Sequence, residues 1–383
     1  MFALSSEEQK RVMFLTGTRA DFGKLKPLIR ALGADDSFDV LVFITGMHML
    51  RRYGYTCLEV EKSGFRNLHK YINQNLNDAM DQVLSKTISG LSDYVREVKP
   101  DLMVIHGDRV EALAAASVGA FNNILTAHIE GGEVSGTIDE SVRHAVTKLS
   151  HVHFVAHEAA KRRLIQLGEF EESVYVIGSP DIDVMESSDL PSIGQVKLQY
   201  EITFSDYAVV LFHPVTTELD DLGRQARCMV DQLLQSGLNY VVIYPNNDTG
   251  SEIIFREYER LEGHPRFRVF PSMRFESFLT MLKHARFIIG NSSAGIREAP
   301  HFGTPTINLG SRQKRRAVAQ SIIDTVIADG DILNAIAAAK DARFEPEQLF
   351  GLGDSAERFH EVLQSRKFWG TALQKNFVDQ FDQ

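Results

Sequence analysis

Short, continuous apolar runs recur along this chain, each breaking off into a cluster of Gly, His, Asp or Arg, and they restrict it to one kind of architecture. Residues 11–16 end in Gly17-Thr18-Arg19, residues 39–44 in Thr45-Gly46-Met47-His48, and residues 101–105 in His106-Gly107-Asp108-Arg109. Further runs lie at 124–129, 151–156 and 174–177. The runs do not alternate apolar with polar, which is how strands buried on both faces read. Helical segments are expected between them, at 22–32, 76–98 (closed by Pro100) and 112–121. Strand–helix alternation of this kind implies a right-handed parallel sheet with helices on both sides.

The pattern restarts after residues 178–204, where Pro180, Pro191 and several Asp and Ser suit a hinge or linker. The second series of runs is 207–212, 240–243, 267–270, 287–289 and 306–309, and Phe275, Phe278, Leu279 and Leu282 give one helical face. A chain of 383 residues is long for one core and suits two. The expected fold class is therefore α/β, with two doubly wound parallel-sheet (Rossmann-like) domains at 1–185 and 186–365. A C-terminal helix over about 366–383 is expected to pack back on the first domain.

The net charge of −10 argues against a nucleic-acid backbone or an anionic membrane surface as partner. Cys57 and Cys228 read as two separate thiols, and no Cys/His cluster has metal-ligand spacing. Residues 1–10 are polar and acidic, and no run reaches transmembrane length, so a cytoplasmic protein is expected.

The polar clusters fall directly after the strands, at the edge where open parallel sheets bind ligands. Eight such clusters in two domains lead us to expect an active site between the domains. Gly290-Asn291-Ser292-Ser293-Ala294-Gly295 precedes a helix expected from Ile296. Its small residues and hydroxyls suit phosphate, although an ordinary capped turn reads the same way. Glu298, one turn into that helix, can accept from a ribose diol or simply favour the first turn. Arg19 and Lys24 suit a diphosphate, with a solvated helix face as the alternative for Lys24. Arg312, Lys314, Arg315 and Arg316 form the densest basic run, either a phosphate clamp or a solvated loop. His106–Arg109 and His128-Ile129-Glu130-Gly131-Gly132-Glu133, where the two glycines allow close approach of a ligand, sit on neighbouring strand ends. With Asp139, Glu140, Arg143 and His144 one helical turn apart, they supply carboxylates beside basic groups, for proton transfer or for a structural ion-pair network.

Six stretches together resemble one family. Residues 17–24, His106–Arg109, 128–139, His213-Pro214-Val215-Thr216-Thr217-Glu218, Gly290–Glu298 and Gly310-Ser311-Arg312-Gln313 are similar to the hydrolysing UDP-N-acetylglucosamine 2-epimerases of sialic-acid-type pathways, and the likeness runs from about Lys10 to Phe368. The resemblance implies a GT-B-like arrangement with an interdomain cleft, no metal, no nicotinamide or other cofactor, a UDP-sugar substrate, and a homodimer or homotetramer. It implies conversion of UDP-N-acetylglucosamine and water to N-acetylmannosamine and UDP, by anti elimination to 2-acetamidoglucal and rehydration.

The resemblance also carries roles over by position. Arg19, Arg109, His213, Asn246, Ser292, Ser293, Gly295, Glu298 and Arg312 match nucleotide contacts, Ser292 and Ser293 at phosphate and Glu298 at ribose. Asp108, Glu130 and Asp139 match the acidic catalytic set, accompanied by His213, Arg143, Lys24 and His48. Which carboxylate takes the C2 proton stays open, with Glu130 first choice. Tyr244-Pro245-Asn246-Asn247 and Ala20-Asp21 depart from the non-hydrolysing relatives and favour the hydrolysing branch. Rival readings are the 2-epimerase of UDP-N,N'-diacetylbacillosamine, a GT-B glycosyltransferase and a non-catalytic UDP-sugar sensor.

Overall fold

The computed structural model describes residues 9–76, 78–135, 137–313 and 316–379. Gly136, Lys314 and Arg315, residues 1–8 of the polar N-terminal stretch, and residues 380–383 of the expected last helix lie outside the described residues. The chain divides into two compact units. The first takes in the described residues of Met1–Glu133, Asp139–Glu186 and Phe350–Gln383; the second takes in those of Val134–Ile138 and Ser187–Leu349.

The first unit holds strands β1 (Lys10–Thr16), β2 (Phe38–Ile44), β3 (Asn67–Lys70), β4 (Leu102–His106), β5 (Leu125–Ile129), β6 (Val152–Val155) and β7 (Val174–Val176). They form one sheet in the order β3-β2-β1-β4-β5-β6-β7, with every pairing parallel. The continuous apolar runs have a direct cause. Val12 and Phe14 enter the core on one face of the sheet, while Met13 and Leu15 enter the core on the other.

The second unit repeats the winding. Its strands are β8 (Ala208–Leu211), β9 (Tyr240–Ile243), β10 (Phe267–Phe270), β11 (Ile288–Gly290), β12 (Thr306–Leu309) and β13 (Ile322–Thr325), in the order β10-β9-β8-β11-β12-β13, again all parallel. Both sheets reverse their strand order once, beside β1 and β4 in the first unit and beside β8 and β11 in the second. Such a reversal opens a crevice beyond the carboxyl ends of the strands.

Three expectations are corrected. Strands β3 and β13 were not foreseen. They are short sheet edges, and β3 (Asn67-Leu68-His69-Lys70) carries no fully buried residue and so no apolar run. The stretch 178–204 is no plain linker, since it contains the helices Pro180–Met185 and Ile193–Gln199. No single helix spans 366–379. The chain rejoins the first unit at Phe350, forms the helix Ser355–Gln364 and then one further turn, Arg366–Trp369. The Asp183 carboxylate caps Ser355–Gln364 by accepting from Ser355 N (3.0 Å) and Ala356 N (2.7 Å). Phe359 then seats its ring 4.7 Å from Phe154 and 6.3 Å from Phe14. Truncating a buried phenylalanine of this kind costs roughly 3–5 kcal/mol, so this C-terminal segment is part of the first core.

Candidate functional site

In the first unit the chemistry gathers at the ends of β1, β4 and β5. The turn after β1 is tied by Asp21. Its carboxylate accepts from Gly17 N (2.9 Å), Thr18 N (3.1 Å) and the Thr16 hydroxyl, while Asp21 N donates back to Thr18 Oγ1. This reciprocal cap starts the helix Arg19–Gly33 and fixes the positions of Arg19 and Lys24.

Lys24 is buried, not on a solvated face. Its Nζ lies 3.6 Å from Glu130 Oε2 and 3.5 Å from Asp181 Oδ2. Glu130, just past β5, is itself 8% exposed, and its Oε2 lies 3.0 Å from His106 Nε2. Glu130 has a φ of +73°, a conformation that a non-glycine residue holds at a cost of order 1 kcal/mol or more. The fold keeps that strain and directs the carboxylate at Lys24 and His106. Gly131-Gly132 has a packing role: a Cβ on Gly132 would stand 2.3 Å from the Ala160 carbonyl oxygen. The close approach there is to protein backbone.

Asp108 sits on the turn after β4 and pairs with Arg143, whose side chain is wholly buried and whose Nη1 also donates to the Glu133 carbonyl (3.0 Å). His128 braces that turn. Its Nε2 donates to the Gly107 carbonyl at 2.9 Å and its Nδ1 is 3.1 Å from Thr147 Oγ1. Burial pushes its pKa down to about 3, so the ring is neutral. Asp139 is half-buried at the head of the helix Ile138–Leu149, on the same helix as Arg143. Arg19 Nε lies 2.6 Å from Glu59, and Arg109 Nε lies 3.5 Å from the buried Glu111. His48 joins a different set. It is buried against Phe22, its ring nitrogens lie 3.0 Å from Thr16 Oγ1 and 2.6 Å from Thr56 Oγ1, and burial pushes its pKa down to about 4. It is a neutral strut between segments.

In the second unit one residue organises the strand ends. Asn291, following β11, accepts from His213 N (2.7 Å) and donates to His213 O (2.8 Å) through its side-chain amide. Its own carbonyl accepts from Arg312 Nη1 and Gln313 Nε2, both at 3.2 Å. The loops after β8, β11 and β12 are thereby joined at one buried amide. Asn246 N donates to His213 Nδ1 at 3.1 Å. Nδ1 therefore carries no proton, and the ring presents Nε2–H as a donor. Ser292 and Ser293, the two residues that follow Asn291, are half-buried, and Arg312 is 9% exposed.

The helix expected from Ile296 is shorter than its sequence implies. A 3-10 turn at Ser293–Gly295 is followed by the four-residue helix Glu298–His301, which contains Pro300. A macrodipole therefore has little length in which to build up. Glu298 is the first residue of that helix and is buried. Gly295 has a packing reason to be glycine, because a Cβ would stand 2.6 Å from Thr306 Cγ2.

Four residues of these sets escaped assignment from sequence. His106 lay inside a recognised stretch, but its partner Glu130 is 24 positions away. Asn291 lay between recognised glycine and serines, and Gln313 closed the last recognised stretch. Asp181 lay in what read as a linker. No spacing pattern connects any of them to its partner.

Two Rossmann-like units of the same winding, with carboxylates, Lys, His and Arg at one set of strand ends and hydroxyl, imidazole and guanidinium donors at the other, define a GT-B-like fold equipped for an acid–base reaction and an anionic ligand. The family model described as UDP-N-acetylglucosamine 2-epimerase matches residues 30–364. A UDP-N-acetylglucosamine 2-epimerase of Neisseria meningitidis serogroup B is 46% identical over 97% of this chain and 99% of its own length. A hydrolysing UDP-N,N'-diacetylbacillosamine 2-epimerase of Legionella pneumophila is 32% identical over 96% and 98%. In fold, the solved Methanocaldococcus jannaschii UDP-GlcNAc 2-epimerase in complex with UDP-GlcNAc and UDP is similar with a TM-score of 0.78, at 21% identity, covering 92% of this chain and 99% of that one. The chain belongs to the UDP-N-acetylglucosamine 2-epimerase family.

Proposed function

We propose that this protein is a hydrolysing UDP-N-acetylglucosamine 2-epimerase, converting UDP-N-acetylglucosamine and water to N-acetylmannosamine and UDP. The observation that carries the proposal is the Glu130 carboxylate, buried against Lys24 and His106 and held in a strained backbone conformation. Such a group suits a proton transfer at carbon, where a base must be shielded from water and held in a fixed orientation toward the proton it takes.

In the proposed reaction the C1–O bond breaks and its electron pair leaves with UDP, while the C2 proton passes to Glu130. Water then adds at C1 of the resulting glucal, and a proton is returned to C2 on the opposite face. Asp108, held by Arg143, and Asp139 are the further acids available for protonating the leaving group and activating water. Nucleotide binding is assigned to the second unit. The Nε2–H of His213, the hydroxyls of Ser292 and Ser293, and Arg312 would meet phosphate oxygens; Glu298 would meet the ribose, and Asn246 supports His213. Arg19 and Arg109 would add charge at the diphosphate as it leaves. Gly295 is left with its packing role, and His48 with its structural one.

Support for the acetylglucosamine substrate comes from the higher identity to the meningococcal relative, 46% against 32% for the Legionella one. The latter keeps UDP-N,N'-diacetylbacillosamine as the second reading and lends the word hydrolysing its support. Two buried free cysteines accord with a reducing cytoplasm, and among the described residues no helix is long and apolar enough to cross a membrane. A homodimer or homotetramer completes the proposal and is read directly by sedimentation.

The test is proton NMR of the purified protein with each UDP-sugar in heavy water. Release of UDP together with free N-acetylmannosamine deuterated at C2 is expected. Accumulation of UDP-N-acetylmannosamine without UDP release would overturn the hydrolytic step, and turnover of the bacillosamine derivative alone would overturn the substrate.

A further inference from the structure

We propose that Asp181 is a positioning residue of the acid–base centre, holding the Lys24 ammonium in place and in its charged form beside Glu130. The inference rests on the reading of Glu130 as the group that takes the C2 proton and later gives it up to regenerate the carboxylate. Asp181 is fully buried on the helix Pro180–Met185. One of its carboxylate oxygens accepts from Ile182 N at 3.1 Å, and the other faces Lys24 Nζ at 3.5 Å. Lys24 thus sits between two carboxylates, with all three side chains buried.

That arrangement has a consequence for the proton cycle. When Glu130 accepts a proton it ceases to balance Lys24. A buried ammonium without a counter-charge tends to shed its own proton. Asp181 does not take part in the cycle and supplies the standing negative charge. Lys24 therefore stays protonated through both half-reactions, and Glu130 alternates between its two forms against a constant cation. The helix Pro180–Met185, read from sequence as a linker, is what brings this charge to the site.

The charged and titratable groups linked to Lys24 through Glu130 and Asp181 come from four elements. His106 and Asp108 end β4; Glu130 and Glu133 follow β5; Arg143 lies on Ile138–Leu149; and Asp181 and Asp183 lie on Pro180–Met185. The helix Ser355–Gln364, also packed on Arg19–Gly33, brings His360 to Asp35 just beyond the far end of that helix. Asp183 is occupied by its caps to Ser355 and Ala356. Asp181 and Glu130 face the Lys24 ammonium at 3.5 and 3.6 Å.

The experiment compares wild type with D181N, which is isosteric and can still accept from Ile182 N. Lysine labelled with ¹³C at Cε is followed by NMR against pH, and Lys24 is assigned by the signal lost in K24R. In D181N the Lys24 titration is expected to fall by about one pH unit or more. The alkaline limb of kcat should move down with it, with kcat lower by about tenfold or more and UDP affinity within about threefold. D181E, which retains the charge, should restore the titration. An unchanged Lys24 titration in D181N, or a D181E that behaves like D181N, overturns the proposal. If D181N does not fold, K24M/E130Q/D181N should fold, because it replaces all three buried charges by neutral groups of similar size; failure of that rescue also overturns it. Turnover in the same samples keeps the two readings apart. A wild type that releases no UDP refutes the function above, while the Lys24 titration still decides the case of Asp181.

Discussion

Lowering the pH from 7 to 5 is expected to remove about 4 kcal/mol from the stability of the first unit. His48 and His128 are buried there, and burial pushes their pKa values from 6.5 down to about 4 and about 3. In the unfolded chain both take protons near pH 6.5; in the folded chain they stay neutral until far lower. Their contribution is therefore intact above about pH 6.5. It is lost as the pH falls through the window down to about 4 for His48 and about 3 for His128. At about 1.4 kcal/mol per pH unit, each histidine removes about 2 kcal/mol by pH 5. His151 and His153, also pushed down by burial, add to the loss. Glu169 does not offset it in this range. Although burial works the other way, His153, Lys148 and Lys375 hold Glu169 down to about 2, and its ordinary value of 4.5 lies below the window. Trp369 is the chain's one tryptophan and belongs to the first unit. Its fluorescence in urea titrations at pH 7, 6 and 5 reads the effect on that unit. H48N, less stable at every pH, should lose only about half as much between pH 7 and 5. Equal stability at the two pH values, or a loss in H48N as large as in wild type, would refute the reasoning.

Three substitutions probe the site from different sides. E130Q should bind UDP within about threefold of wild type while turnover falls by at least about 100-fold; isothermal titration and a coupled UDP-release assay separate the two, and surviving turnover would remove Glu130 from the proton path. N291A breaks both side-chain hydrogen bonds to the His213 backbone. It should weaken UDP about tenfold and lower the second unit's stability by about 1–3 kcal/mol, whereas unchanged affinity would show that the three loops hold their places without it. G295A should destabilise by about 1–3 kcal/mol through the clash with Thr306, and T306S should recover much of that loss in thermal melts if the clash, and not a lost backbone conformation, is the cause.

The parallel sheets were legible because the physics that buries them also writes them. A strand covered on both faces must be apolar at consecutive positions, so β1, β4, β8 and β12 stand out without any knowledge of partners. Strands β3 and β13 lie at the sheet edges and are not bound by that demand: β3 has no apolar run, and in β13 Asp324 interrupts a β-branched stretch that was passed over. The helix from Ile296 was overestimated for a related reason. Periodicity at 296–302 is compatible with a helix, but Pro300 withholds an N–H and the chain closes into a 3-10 turn and a four-residue helix instead.

Residue type marks the strand ends as a polar site but does not say where each polar atom is spent. His48, His128 and Asn291 have the chemistry of ligand contacts, yet their polar atoms are used on threonines, on the Gly107 carbonyl and on the His213 backbone. Lys24 read as a diphosphate contact or a solvated helix-face cation, and the winding of the sheet buries it between carboxylates 106 and 157 positions further along the chain. Sequence spacing cannot show such partners, because the distance between residues 24 and 181 is set by where two helices cross the same sheet. The consequence for the chemistry is specific. If the proton cycle at Glu130 depends on a cation kept charged by Asp181, then the composition of the helix Pro180–Met185 constrains the reaction as tightly as any residue at the strand ends. Variation at position 181 should therefore alter the pH dependence of turnover before it alters nucleotide affinity.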